Sequence, residues 1–253
     1  MLNHSTRFAP GVILALLATA TPQAPAEDSV HLALSGLHLA ADKVRGGGDW
    51  WGIFPEGDGY TLQPTRVRVE AVVNPLADGD TRKTATQVTV PGYDRGIPLL
   101  RGLMSAAAGP LDAIKPAKNW RYLAPGDTIK LPLEGEDAGV EMKIVAEGKE
   151  TAKESGPSEA TVLKGYQLRL IRTSGSKQQS QLLAALPEFQ RLPNDPCPSL
   201  LWAGDLDRDG KVDLLYDLSS FYIVNKLALF LSSAAKDGEL VGLVARWNAV
   251  GGC

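Results

Sequence analysis

Hydrophobic and polar positions alternate in short runs along most of this chain. Arg66-Val-Arg-Val-Glu-Ala-Val-Val73 sets apolar residues at alternate positions until Asn74-Pro75 interrupts it, as a half-buried strand does. Gln87-Val-Thr-Val90, Thr128-Ile-Lys-Leu-Pro-Leu133, Val140-Glu-Met-Lys-Ile-Val145 and Tyr166-Gln-Leu-Arg-Leu-Ile171 repeat the period, and Val30–Leu34 reads as a further strand. Turn signals separate them: Asp78-Gly79, Pro91-Gly92, Pro125-Gly126-Asp127 and Asp137-Ala-Gly139. Only Leu99–Ala108 and Gln178–Leu186 have a helical composition, so crossover helices for a parallel sheet are scarce. The pattern predicts a mainly β chain, an antiparallel sandwich or open barrel. Leu227–Leu231 and Leu240–Trp247 are apolar almost without interruption, which predicts strands buried on both faces.

The first 26 residues stand apart from this pattern. Arg7 supplies a positive start, Gly11–Ala20 an apolar run, and Ala24-Pro25-Ala26 small residues at a cleavage position, so residues 1–26 read as a signal peptide. The apolar run is shorter than the roughly 20 residues of a membrane span, and no span is expected once it is removed. The expected location is periplasmic or secreted. The rest divides at Leu192-Pro-Asn-Asp-Pro-Cys-Pro198, whose prolines suit neither a helix nor a strand ladder. Residues 27–191 form a β-rich region and residues 192–253 a C-terminal module, separate or part of one domain.

Composition adds exclusions. The 253 residues are 44% hydrophobic and 22% charged, with 26 glycines and 17 prolines, ordinary for a globular chain of strands and turns. Formal net charge is −3 and the basic residues are scattered, which gives no footprint for nucleic acid. The two cysteines, Cys197 and Cys253, suggest one disulfide in an oxidising compartment.

The most informative stretch is Asp205-Leu-Asp-Arg-Asp-Gly-Lys-Val-Asp213. Aspartates stand at positions 1, 3, 5 and 9, Lys211 at position 7 offers its main-chain carbonyl, and Gly210 at position 6 permits a sharp turn. Unneutralised, four such carboxylates would repel one another; together with a carbonyl and water they can supply the oxygens that calcium requires. An acidic turn without metal is the alternative. Tyr216 stands at position 12, where an EF-hand has a bidentate Glu, which argues against that motif.

Taken with its flanks, Trp202-Ala-Gly-Asp-Leu-Asp-Arg-Asp-Gly-Lys-Val-Asp-Leu-Leu215 resembles the FG-GAP (VCBS-type) repeat over about residues 199–233. The resemblance implies calcium held by Asp205, Asp207, Asp209 and Asp213 with the Lys211 carbonyl, in a loop joining two strands. The family builds β-propellers from several copies. One copy here implies a single calcium-clipped β-hairpin near the C-terminus of another β domain.

No catalytic residues are assigned. His31 and His38 form no ready metal pair, and no nucleophile elbow, metalloprotease or phosphate-loop motif follows residue 26. Asp49-Trp50-Trp51, with Phe54 and Tyr60, offers either core aromatics or a platform for a sugar or peptide. The sequence therefore points to an exported, non-enzymatic β protein with one structural calcium ion, serving as a binding module for a protein or polysaccharide. The alternative is a secreted hydrolase directed at glycans or peptides, with a carboxylate site that has no fixed spacing.

Overall fold

A computed structural model describes residues 30–75, 81–93, 95–114, 123–131, 140–152, 161–191, 198–221 and 223–251. The strands in chain order are β1 (His31–Leu34), β2 (Gly36–Ala41), β3 (Gly47–Glu56), β4 (Gly59–Val72), β5 (Ala85–Thr89), β6 (Pro98–Arg101), β7 (Gly109–Ala113) and β8 (Thr128–Leu131). They continue as β9 (Val140–Ala152), β10 (Thr161–Ser174), β11 (Lys177–Ala185), β12 (Phe189–Arg191), β13 (Ser199–Asp205), β14 (Asp213–Asp217), β15 (Val224–Leu231) and β16 (Gly242–Gly251). One 3-10 turn, Ser232–Ala234, links β15 to β16. Leu99–Ala108 and Gln178–Leu186, helical by composition, are strand and loop in the first case and mostly β11 in the second.

Pairing runs β4–β5–β2–β16–β15–β14–β13–β7 and returns to β4, closing an antiparallel barrel of eight strands. The barrel is closed, where an open barrel or a sandwich was expected. Strands on both sides of residue 192 build it: β16 pairs with β2, and β13 with β7. A flap of β3, β6 and β1 continues from β4 and folds back, so that Leu32 and Ala33 join one core with Leu229 and Val244. A separate sheet, β8–β9–β10–β11 with β12 on β10, covers the outside of the β13–β15 wall.

This layering explains the continuous apolar runs near the C-terminus. Along β15, Leu227, Leu229 and Leu231 enter the barrel core while Ala228 and Phe230 face the outer sheet. β14 behaves alike, with Leu215 inward and Leu214 and Tyr216 outward. In β13 the register shifts between Leu200 and Trp202, so Leu201 and Trp202 both turn to the barrel core. Each fully buried Leu or Phe contributes about 1.5–3 kcal/mol, so this doubly covered wall is a rigid base for the loop at its end.

Candidate functional site

The acidic loop leaves the barrel between β13 and β14, where Gly204 pairs with Asp213. Two apolar side chains anchor it on opposite faces: Leu206 in the barrel core and Val212 in the core under the outer sheet. Between them the backbone turns sharply, with left-handed φ of 63° at Arg208 and 80° at Gly210. The Asp205 carboxylate accepts the N–H groups of Asp209 (3.1 Å) and Gly210 (3.0 Å), and Asp209 accepts the N–H of Lys211 (2.9 Å). Gly204 is required for another reason: a Cβ there would strike the Trp202 ring and the Asp112 carbonyl, the backbone of β7 passing directly beside it.

These turns gather Asp205, Asp207 and Asp209, one oxygen of each lying within 4.8 Å of the others. Asp205 is half-buried, Asp207 buried and Asp209 exposed. The wall opposite comes from the 3-10 turn: Ser232 Oγ donates to Asp209 Oδ2 at 2.7 Å and Ser233 Oγ to Asp207 Oδ2. The other oxygen of Asp207, Oδ1, is buried with no hydrogen-bond partner. Burial pushes the Asp207 carboxyl above its usual range, the Ser233 hydroxyl opposes this, and the charges of Asp209 and Asp205 reinforce it.

Asp213 stands apart from these three. Fully buried, it accepts the N–H groups of Leu206 (2.8 Å) and Asp207 (3.4 Å) through Oδ2 and that of Ser232 (2.8 Å) through Oδ1. Burial raises its pKa well above the carboxylate range, Asp207 adds to this, and the amides of Ser232 and Leu206 act against it. Its oxygens tie the loop to the next connection. The Lys211 side chain is exposed at the rim, 4.0 Å from Asp209 Oδ2. Arg208 is directed away from the carboxylates and donates to the carbonyls of Ala107 (3.2 Å) and Ala108 (3.5 Å).

Sequence spacing pointed to the aspartates but not to Ser232 and Ser233, which lie 23 and 26 residues from their partners. No local pattern marks them; only the β15–β16 connection brings them in. Cys197, Cys253 and the signal segment 1–26 lie outside the described residues. His31 is exposed on β1, whereas His38 is buried on β2, edge-on to Trp247 with ring centroids 5.0 Å apart. Burial lowers the His38 pKa, and a bond to the Leu34 carbonyl opposes the shift. Trp50 is a core residue: its Nε1 donates to the Arg45 carbonyl and the Arg101 guanidinium lies over its ring. Trp51 packs at the edge of the same core.

Among the described residues, Asp205, Asp207 and Asp209 form the one group of His, Cys, Asp or Glu side chains close enough to hold a metal ion. Their donors are carboxylate oxygens, which suit a hard cation. No helix among the described residues is long and apolar enough to cross a membrane. Comparison with known proteins finds no matching family model, no matching curated protein and no matching solved structure.

Proposed function

We propose that the Asp205–Asp213 loop holds a structural calcium ion and that the protein is an exported, non-enzymatic binding module. The observation that carries the metal reading is the buried, unpartnered Oδ1 of Asp207 beside two further carboxylates. Leaving such an oxygen dry and unpaired costs about 1–3 kcal/mol or more when it is charged, and a cation removes that cost. Calcium is favoured over zinc because the cluster contains neither His nor Cys, and over magnesium because several carboxylates with a main-chain carbonyl suit its larger, irregular shell. The aspartate–glycine spacing and its FG-GAP resemblance support the same ion. In this reading Asp205, Asp207 and Asp209 are ligands, joined by the Lys211 carbonyl and by Asp213 if it turns from its amides.

Export rests on the signal-like residues 1–26. A Cys197–Cys253 disulfide belongs to the same reading, since two thiols and no others in an oxidising compartment suggest one bond. The lack of a nucleophile-elbow, metalloprotease or phosphate-loop motif after residue 26 favours binding over the hydrolase alternative.

Calorimetric titration of chelator-treated protein with calcium, magnesium and zinc tests the metal reading. One calcium site, lost in the Asp207→Ala/Asp209→Ala double variant, is expected. Absence of calcium binding to folded wild type overturns it.

A further inference from the structure

We infer that the β15–β16 connection is the second wall of the cation site: Ser233 and Ser232 fix the carboxylates of Asp207 and Asp209 from outside the acidic loop, and β11 holds that wall in place through Gln181. The inference rests on the calcium reading and adds the positioning residues that set the affinity of the site.

Five of the six carboxylate oxygens of Asp205, Asp207 and Asp209 accept a hydrogen bond. Three of these bonds are internal to the loop: Asp205 takes the N–H groups of Asp209 and Gly210, and Asp209 Oδ1 that of Lys211. The other two come from a different part of the chain. Ser232 Oγ donates to Asp209 Oδ2 at 2.7 Å, and Ser233 Oγ donates to Asp207 Oδ2. The sixth oxygen, Asp207 Oδ1, accepts nothing, although Asp207 is only 8% exposed.

A carboxylate turns easily about its last torsion, so a donor on one oxygen also fixes where the other points. Ser233 therefore takes Asp207 Oδ2 and leaves Oδ1 as the oxygen free to meet a cation. Carboxylates that bind metals are themselves held by such outer partners, whose loss weakens metal binding by about 10–100-fold. Local spacing supplies none of this, because the loop contains no hydroxyl side chain.

The connection is fastened at both ends. At its start, Asp213 Oδ1 accepts the Ser232 N–H at 2.8 Å, and the Ala235 N–H closes on the Ser232 carbonyl at 3.1 Å. The turn then passes so close to β16 that a Cβ on Gly242 would lie 2.0 Å from the Ala234 carbonyl oxygen. At its far end, Gln181 Oε1 accepts the N–H groups of Leu240 (2.6 Å) and Val241 (3.0 Å), and its Nε2 donates to the Val241 carbonyl (2.6 Å). Gln179 Nε2 adds a bond to the Gly238 carbonyl at 3.1 Å. The serine hydroxyls are thus in place before a cation arrives, and binding need not order them.

Calorimetric titration of calcium into the chelator-treated full chain tests the inference on wild type, Ser233→Ala, Ser233→Thr and Gln181→Ala. Ser233 is exposed, so its truncation opens no cavity. Ser233→Ala is expected to weaken calcium binding about tenfold or more. Ser233→Thr, which keeps the hydroxyl, should bind as wild type does. Gln181→Ala, which touches no carboxylate of the loop, should weaken binding about threefold by loosening the wall. Gln179→Ala takes its place if circular dichroism shows Gln181→Ala unfolded. Wild-type affinity in Ser233→Ala, or a Ser233→Thr as weak as Ser233→Ala, overturns the role of the serine and leaves the calcium site standing. Wild-type affinity in the glutamine variant overturns the part given to β11. A folded wild type that binds no calcium overturns the calcium reading itself, and this inference with it.

Discussion

Asp213 Oδ1 accepts the backbone N–H of Ser232 at 2.8 Å, joining the start of β14 to the 3-10 turn 19 residues later. The opposite oxygen holds the N–H groups of Leu206 and Asp207. One buried carboxylate thus sets both walls of the acidic cluster. Asp213→Ala leaves three amides without their acceptor, and each buried unpaired donor costs about 1–3 kcal/mol. Urea unfolding should show a loss of about 3 kcal/mol or more, with calcium or with chelator. A loss below about 1 kcal/mol in chelator would mean that the amides find other partners and that Asp213 is not the brace.

Calcium should raise the thermal midpoint by mass action. At a free concentration one hundred times the dissociation constant, the stabilisation is about 2.7 kcal/mol. The Asp207→Ala/Asp209→Ala variant should show one midpoint with and without the ion. A wild type indifferent to calcium and chelator sinks the structural role.

Acid provides a separate test in chelator. Folding raises the pKa values of Asp207 and Asp213, so the folded chain retains those protons more tightly than the unfolded one. Stability from this source is full below the ordinary carboxylate range and is lost as pH rises through the raised values. Asp207→Asn, which cannot ionise, should therefore melt above wild type at pH 7 and lose that advantage towards about pH 4. Added calcium should reverse the order at pH 7. A gap that is constant with pH refutes the assignment of the shift to Asp207.

β7 is held to β4 through Tyr60↔Leu111, Thr61↔Pro110 and Leu62↔Gly109, and to β13 through Gly204↔Ala113 and Asp205↔Asp112, extended by the Ile114 N–H bond to the Ala203 carbonyl (2.8 Å). Arg208 reinforces that side through the carbonyls of Ala107 and Ala108. Hydrogen exchange followed by mass spectrometry should therefore speed up by about tenfold over residues 103–113 on chelation, with β15 and β16 unchanged. Arg208→Ala should produce part of that change in the presence of calcium. Equal acceleration throughout the barrel would show that the loop acts on global stability alone.

Strand periodicity was legible where a strand has one wet face, as in Arg66–Val73 and Val140–Val145, and double burial was legible in Leu227–Leu231. Gln178–Leu186 misleads because Gln, Leu and Ala favour helices, while β11 is held by its pairing to β10. The overlooked signal was Gly175-Ser176, a two-residue turn between the paired Ser174 and Lys177. Gly57-Asp58 forms the matching turn between β3 and β4. Barrel closure had no local signal, since β2 meets β16 through pairs such as Ala41 and Ala249, far apart in the chain. The loop aspartates were legible from spacing; the serines that face them were not.

The short seam at β7 bears on how this protein fails. A closed barrel has no free strand edge, but release of β7 would uncover one on β13 and another on β4, each with a row of unpaired amides and carbonyls. Such edges are templates for joining a second chain. Cation depletion would then promote edge-to-edge assembly of otherwise folded molecules, and charge repulsion within the acidic loop would be converted into a tendency to aggregate.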